Sequence, residues 1–213
     1  MKQSNWYSPF IAANLDKCWN RASVSDVKEG LEWYYVANKL CEELGAKYSL
    51  PTNAVCGIMA ALSPGRHWEL NKQDCDTFCD EWSNGARGKR LPLVGSYGWR
   101  NIVKASKIAS GKDPLEVLGG NKVRAFYECL SNPWTTEAVC IDRHAKFAAY
   151  GKRLSDRESV VRNSEYSILA KHYIRAARRA RVLPHQYQAV VWCCWRRLKG
   201  NLAQLDLITE VPF

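Results

Sequence analysis

Two groups of residues in the middle of the chain have types and spacing suited to chemistry on a phosphate-bearing partner. Gly119 and Gly120 separate a short LEVL turn from a helical stretch that opens with Asn121 and Lys122. Two short helices joined by such a hairpin expose backbone N–H groups at the start of the second helix, and these groups bind phosphate without reading base sequence. Asp142 follows Lys122 by twenty residues and opens a basic stretch. As the first residue of a predicted helix, Asp142 is an N-cap by default.

The charge of the chain is concentrated in one region. The 213 residues carry 31 Lys and Arg against 21 Asp and Glu, a net charge of +10. Residues 143–200 hold 14 basic and 3 acidic residues, a net charge of +11, so the remainder has a net charge of −1. A basic face on an aromatic-rich domain indicates a polyanionic partner, most simply nucleic acid, although a solvated helix surface has the same composition.

Composition excludes several classes of protein. A chain with 46% hydrophobic and 24% charged residues is not disordered, and its length suits one domain or two closely packed lobes. It has no apolar run of about 20 residues that could span a bilayer, and MKQSNWYSPF lacks the pattern of a signal peptide. The nine cysteines form no repeated C-x2-C framework, so we expect buried, reduced thiols in a cytoplasmic protein with no bound metal.

The elements that must position these residues are helices. Ser23 and Asp26 form a candidate capping box for the first long helix, with Gly45 as its stop, and Asp113 caps the LEVL turn. Val139–Ile141 is the only strand-like stretch, and it is too short to make a sheet. Three-to-four periodicity predicts an all-α protein with helices near 24–44, 53–62, 68–82, 99–109, 121–130 and 164–180, and from Pro184 onwards. The helix at 53–62 is apolar on all sides and should be buried.

The order of these motifs resembles the helix-hairpin-helix DNA glycosylase superfamily of the endonuclease III type. LEVLGGNKVRAFYECL matches the family's helix, glycine-rich hairpin and lysine-opened helix, and VCIDRHAKFAAYGKR matches its V-D-T-H-like segment. IMAALSPGRHWELNKQDCDTF and YGWRNIVKASKIASG are similar to the stretches that precede the hairpin. The resemblance covers residues 53–153 and depends on their shared order. The combination ALSP…WExN, GGxK and IDRHA also resembles an uncharacterised family of phage proteins.

The resemblance implies a role for each matched residue. Glycosylases flip a nucleotide into a pocket between two helical lobes. Asp142 matches the family's aspartate, which stabilises the oxocarbenium-like sugar or activates water as the base departs. Lys122 matches the lysine that attacks C1′ in members with AP-lyase activity. The DNA-contacting positions that follow from the match are Gly119, Gly120, Asn121, Arg124, Arg143, His144 and Lys146.

Three features depart from the family pattern. The hairpin reads G-G-N-K and is two residues shorter than P-G-x-G-x-K, so Lys122 is a nucleophile or a phosphate contact, with a solvated surface lysine as the third alternative. The four-cysteine motif of endonuclease III is missing, and we therefore expect no cofactor. Arg143 replaces the middle residue of the V-D-T-H-like element.

Six more residues are candidates for contact with a flipped base or its surroundings. Arg66, His67 and Trp68 lie in the turn where related enzymes fill the space left by the nucleotide, and packing of Trp68 on a helix end is the competing interpretation. Glu69 and Asn71 could line a base pocket. Gln186, on the last helix, could also read a base edge there.

The sequence therefore predicts an all-α, two-lobed, helix-hairpin-helix DNA glycosylase-like fold. One lobe would contain about residues 51–141 with the hairpin, and the other about 1–50 together with 142–213. We expect a cytoplasmic monomer, in the host cytoplasm if phage-encoded, that flips a modified or damaged base from double-stranded DNA and cleaves its N-glycosidic bond. The alternatives are a catalytically inactive DNA-binding protein with this fold and a phage enzyme of base hypermodification.

Overall fold

The computed structural model describes residues 8–209, and the side chains of residues 8–198. This part of the chain is all-helical and contains no strand, and no helix in it is both long and apolar enough to cross a membrane. One 3-10 turn, Gly88–Arg90, accompanies the α-helices. These are α1 Pro9–Asn20, α2 Val24–Tyr48, α3 Thr52–Leu62, α4 Trp68–Ser83, α5 Trp99–Ala109, α6 Pro114–Val117, α7 Asn121–Ser131, α8 Arg143–Tyr150, α9 Asp156–Ser159, α10 Asn163–Ala180 and α11 Pro184–Thr209.

The start and end of α2 show which local signals decide its length. Ser23 and Asp26 cap it reciprocally: the Ser23 N–H donates to Asp26 at 2.8 Å, and the Asp26 N–H donates to the Ser23 hydroxyl at 3.2 Å. The predicted capping box is confirmed. The predicted stop at Gly45 is wrong, because α2 continues to Tyr48 and ends before Ser49, whose φ is +54°. Gly45 instead allows the chain to fold back, since a Cβ there would lie 2.7 Å from the Leu50 carbonyl oxygen.

The chain divides into two compact units. The first combines residues 1–33 with residues 139–213, and the second contains residues 34–138. The sequence-based boundaries were about 51 and 141, so the second unit also includes the later part of α2. Residues 1–7 and 210–213, which fall in the predicted second lobe, lie outside the described residues.

The first unit is built on α1, α8, α10 and α11. Their buried faces share one apolar core, in which Leu15, Leu169, Tyr173 and Val191 are fully buried. Gly30 lets the first turns of α2 approach α11 closely, because a Cβ at this position would overlap the Val190 backbone.

The second unit is built around α3. Every side chain from Ala54 to Leu62 is buried, which confirms the prediction of a central apolar helix. Helices α4, α5, α6 and α7 pack against it. All nine cysteines of the chain are free and buried, in agreement with the expectation of packing thiols.

Candidate functional site

Asp142 lies at the N-terminus of α8 and is its N-cap. One carboxylate oxygen, Oδ1, accepts a hydrogen bond from the Ala145 N–H at 2.7 Å. The second oxygen has no hydrogen-bond partner among residues 8–198. The side chain is half-buried. The hydrogen bond at Oδ1 orients the carboxylate, and the second oxygen keeps its capacity to accept a hydrogen bond.

Two tyrosines of α10 hold the segment that carries Asp142. The Tyr166 hydroxyl donates to the Val139 carbonyl at 2.7 Å and accepts from the Ile141 N–H at 3.4 Å. The Tyr173 hydroxyl is fully buried and donates to the Ala145 carbonyl at 2.9 Å. Burial raises the pKa of Tyr173, and the nearby Asp142 charge adds to that rise. Backbone groups on both sides of Asp142 are therefore anchored to one helix.

These tyrosines position the candidate site, and the sequence pattern shows them only as apolar core positions. The predicted strand-like stretch Val139–Ile141 forms no strand with any of the described residues. The Val139 carbonyl and the Ile141 N–H bond instead to the Tyr166 side chain, 25 to 27 residues away in sequence. The spacing of Tyr166 and Tyr173, two turns apart on one face of α10, is the signal that could have suggested a shared role.

The remaining residues of α8 differ in their exposure. Arg143 is exposed, and His144 is half-buried with its ring edge-on to Phe147, 5.9 Å between ring centroids. The structure corrects the prediction that Lys146 contacts DNA, because the Lys146 side chain is only 7% exposed. Its ammonium donates to Glu165 at 2.8 Å and to the Val160 carbonyl at 3.0 Å, so it is used inside the protein.

Gln186, predicted to face a base, uses its amide within the first unit. Its Oε1 accepts from the Leu183 N–H at 3.0 Å, and its Nε2 donates to the Leu31 carbonyl at 3.2 Å. The first bond caps α11 and the second ties α11 to α2. Both polar groups of the side chain therefore have structural partners.

The hairpin of the second unit has the predicted local structure. Asp113 caps α6 through the Leu115 N–H at 2.8 Å, and α7 begins directly after Gly120. Gly120 has a φ of +82°, which favours glycine, and a Cβ at Gly119 or at Gly120 would meet no atom within 4 Å. The outer face of the hairpin is therefore open. Because the N-cap residue of α7 is Gly120, no N-cap side chain bonds to the first N–H groups of this helix.

The polar side chains at the start of α7 differ in their contacts and exposure. Arg124 donates from Nε to the Leu118 carbonyl at 2.8 Å, so it ties α7 to the end of α6. Asn121 and Lys122 are exposed in the first turn of α7. The start of a helix attracts anions, so these positions lie where a phosphate would be held.

The turn before α4 is held by an ion pair rather than left free. Arg66 bonds to Asp74 through both Nε and Nη2, the latter at 3.0 Å, and Asp74 also accepts from the Gly95 N–H at 3.0 Å. Hydrogen bonding to Asp74 raises the pKa of Arg66. The Asp74 carboxylate therefore joins the two loops that contain Arg66 and Gly95, and only part of the Arg66 guanidinium remains for another partner. His67 is exposed, and Trp68 is half-buried under Lys72, 5.8 Å from its ring centroid.

The two predicted pocket residues on α4 lie in different environments. Glu69 is exposed and pairs with Lys72 at 2.7 Å. Asn71 is 2% exposed and donates to the Met59 carbonyl at 3.3 Å, while its Oδ1 has no hydrogen-bond partner among the described residues. The α4 residues thus do not line one open pocket together. Within the described residues, no group of three or more His, Cys, Asp or Glu side chains is placed to hold a metal ion.

The arrangement supplies two separate sets of groups. The first unit presents Asp142, Arg143 and His144 at the start of α8, and the second presents the open hairpin with Asn121 and Lys122. A family model matches residues 2–199, and the family is described as a family of unknown function, DUF7178. Neither a curated protein nor a solved structure matches the chain.

Proposed function

The chain belongs to DUF7178, a family of unknown function, and we propose that it is a DNA glycosylase-like enzyme. It flips a modified or damaged base out of double-stranded DNA and cleaves the N-glycosidic bond. The fold that goes with this proposal is the two-lobed helix-hairpin-helix arrangement. The protein would act as a monomer in the cytoplasm, in that of a host cell if a phage encodes it.

The observation that carries the proposal is the fixed carboxylate of Asp142. One oxygen is held by the Ala145 N–H at 2.7 Å, and two tyrosines anchor the backbone around it. The other oxygen keeps its acceptor capacity. When the bond from C1′ to the base nitrogen breaks, positive charge develops on the sugar, and a preorganised carboxylate stabilises that charge.

The same carboxylate can direct water to the sugar. Asp142 accepts a proton from the attacking water, whose oxygen forms the new bond to C1′, and the base leaves with the electron pair of the broken bond. The departing base takes up a proton from solvent or from a neighbouring acid. The chemistry then balances with water as the only co-reactant.

The hairpin supports the choice of DNA as the partner. Gly119 and Gly120 leave the start of α7 open, and a helix start with exposed N–H groups suits a backbone phosphate. Lys122 lies in this first turn, where it serves as a phosphate contact or, in an AP-lyase reaction, as the amine that attacks C1′.

A second candidate function is supported by the cap geometry itself. An N-cap aspartate accounts for the Ala145 bond without any catalysis, and Lys146 and Gln186 have structural roles where DNA or base contacts were predicted. The alternative is a DNA-binding protein that has this fold and no chemistry.

Base release from a panel of modified-base duplexes tests the proposal. The panel should include phage-type hypermodified DNA, and the free base should be quantified by mass spectrometry. Asp142→Asn is the informative variant, because asparagine caps a helix about as well as aspartate and removes only the charge. Asp113→Asn, at the cap of α6, is the matched control, since its carboxylate makes the same type of cap bond.

We expect free base from the wild type and from Asp113→Asn, and none from Asp142→Asn. Tight binding without base release from any duplex would replace the enzyme with the binding protein. A changed base that stays on the DNA would indicate hypermodification. Borohydride should trap a covalent complex that Lys122→Ala removes, and a wild type that cannot be trapped has no lyase activity.

A further inference from the structure

A groove in the second unit lies beside the hairpin and outside every predicted site. It has a volume of about 760 Å³ and is formed by the outer face of α5 together with α6 and the loop between them. Trp99, Val103 and Val117 supply its apolar surface. Its cationic side chains are Arg100, Lys104, Lys107 and Lys112.

The charge of this groove is one-sided. Residues 99–112 contain four Lys or Arg and no Asp or Glu, although the chain outside residues 143–200 has a net charge of −1. None of the four cations has an ion pair within the described part of the chain, and Glu116 is the one acidic residue that lines the groove. Lys47 and Lys72 of the same unit, by contrast, pair with carboxylates at 3.1 and 2.7 Å. The groove therefore has four cationic side chains and one carboxylate, an excess of positive charge that no ion pair among the described residues neutralises.

The apolar part of the groove is equally exposed. Trp99 is 41% exposed and Val103 is 48% exposed, and their spacing of four residues places them on one side of α5. The opposite side of α5, with Ile102, Ala105 and Ile108, is buried. An accessible indole beside a row of cations combines a stacking surface with an electrostatic track, which is the arrangement that binds single-stranded nucleic acid.

We propose that this groove binds a single-stranded segment of DNA, with its phosphates on the four cations and an unpaired base stacked on Trp99. The inference rests on the proposed function only in its choice of DNA. From Arg100 to Lys107 the helix rises about 10 Å, enough for two or three phosphates of one strand. A base paired within a duplex cannot reach the indole, so strand opening near the hairpin would supply the ligand.

Equilibrium binding of the full chain to a fluorescently labelled dT12 tests the groove without any catalysis. The variants are Trp99→Ala and the pair Lys104→Gln with Lys107→Gln. Their matched controls are Trp134→Ala, another exposed tryptophan of this unit, and the pair Lys39→Gln with Lys89→Gln, two exposed lysines outside the groove. An abasic strand of twelve nucleotides carries the same phosphate charge but no bases, so it distinguishes base stacking from phosphate binding.

We expect Trp99→Ala to weaken dT12 binding by about 5-fold or more, as for loss of one stacked base. The same variant should leave binding of the abasic strand unchanged. The groove lysine pair should lower the slope of log K against log salt by about 1.4, from two lost phosphate contacts. Both controls should bind dT12 within about 2-fold of the wild type.

Equal effects of groove and control variants would overturn the proposal, as would equal binding of dT12 and the abasic strand. Heparin that binds as tightly as dT12, with no effect of Trp99→Ala, would show a general polyanion site instead. These outcomes are independent of base release. A protein with no glycosylase activity can still show the Trp99 effect, and an active glycosylase can lack it.

Discussion

The anchoring of Asp142 by α10 leads to a quantitative prediction for Tyr166→Phe and Tyr173→Phe. Removal of the Tyr166 hydroxyl eliminates the bond to Val139 at 2.7 Å, which contributes about 0.5–1.5 kcal/mol, and the weaker bond from Ile141 at 3.4 Å, so we expect a loss of about 1–2 kcal/mol in the free energy of unfolding. Tyr173→Phe removes one bond at a fully buried position and should cost about 1–2 kcal/mol.

Tyr187→Phe provides the control for this measurement. Tyr187 belongs to the same unit and is buried, but its hydroxyl reaches Asp16 only at 3.5 Å, where a hydrogen bond is weak. We expect a loss below about 0.5 kcal/mol, at the lower end for one hydrogen bond. Urea unfolding followed by circular dichroism gives all three values. Losses no larger for Tyr166→Phe and Tyr173→Phe than for Tyr187→Phe would refute the anchoring.

Activity provides a second readout that a purely structural role would not change. If Tyr166 orients the backbone before Asp142, Tyr166→Phe should lower kcat for base release under conditions where the variant is fully folded, and KM should stay constant. A kcat equal to that of Tyr187→Phe would leave Tyr166 with a role in stability alone.

Three further predictions concern interactions outside the candidate site. Lys146→Met should lower the free energy of unfolding in urea by about 1–3 kcal/mol, because the partly buried Glu165 carboxylate keeps only its hydrogen bond from Tyr150. The double variant with Glu165→Gln should recover part of that loss. DNA affinity should not change, and a marked drop would indicate that Lys146 contacts DNA. Gly30→Ala should cost about 1–3 kcal/mol through overlap with α11, and a neutral result in the same assay would contradict the close approach. Burial raises the pKa of Asp26, but hydrogen bonds from Ser23 and Arg197 outweigh it and lower the pKa overall. Its stabilising contribution should therefore be present above about pH 4 and lost as the pH falls further, and Asp26→Asn should reduce this loss in acid unfolding curves.

Local signals in the sequence were sufficient to predict most helices and their caps. The Ser23–Asp26 capping box and the Asp113 cap depend on residues within three positions of each other, so their types and spacing determine the contact. The end of α2 could not be read in the same way. Gly45 is a typical stop, but here the glycine accommodates the returning chain at Leu50.

The candidate site depended more on contacts between distant parts of the chain. Lys146 belongs to a basic run that predicts a surface, and its burial follows from Glu165, 19 residues later. The sequence predicts Arg66 as a DNA contact, but in the structure Asp74 holds Arg66 and also bonds to the Gly95 loop. Which side chains from distant segments meet depends on how the chain packs, and the spacing of residues in the sequence does not predict it.

The most direct test of the glycosylase assignment measures binding and base release on one duplex. For wild type and Asp142→Asn, the Kd should be obtained by anisotropy and the rate of base release under single-turnover conditions. We predict that Asp142→Asn lowers the rate by about 100-fold or more, as for loss of a group that stabilises transition-state charge, while Kd changes by less than about 3-fold. Base release that persists at the wild-type rate in Asp142→Asn, or its absence from the wild type on every duplex, would contradict a catalytic role for Asp142.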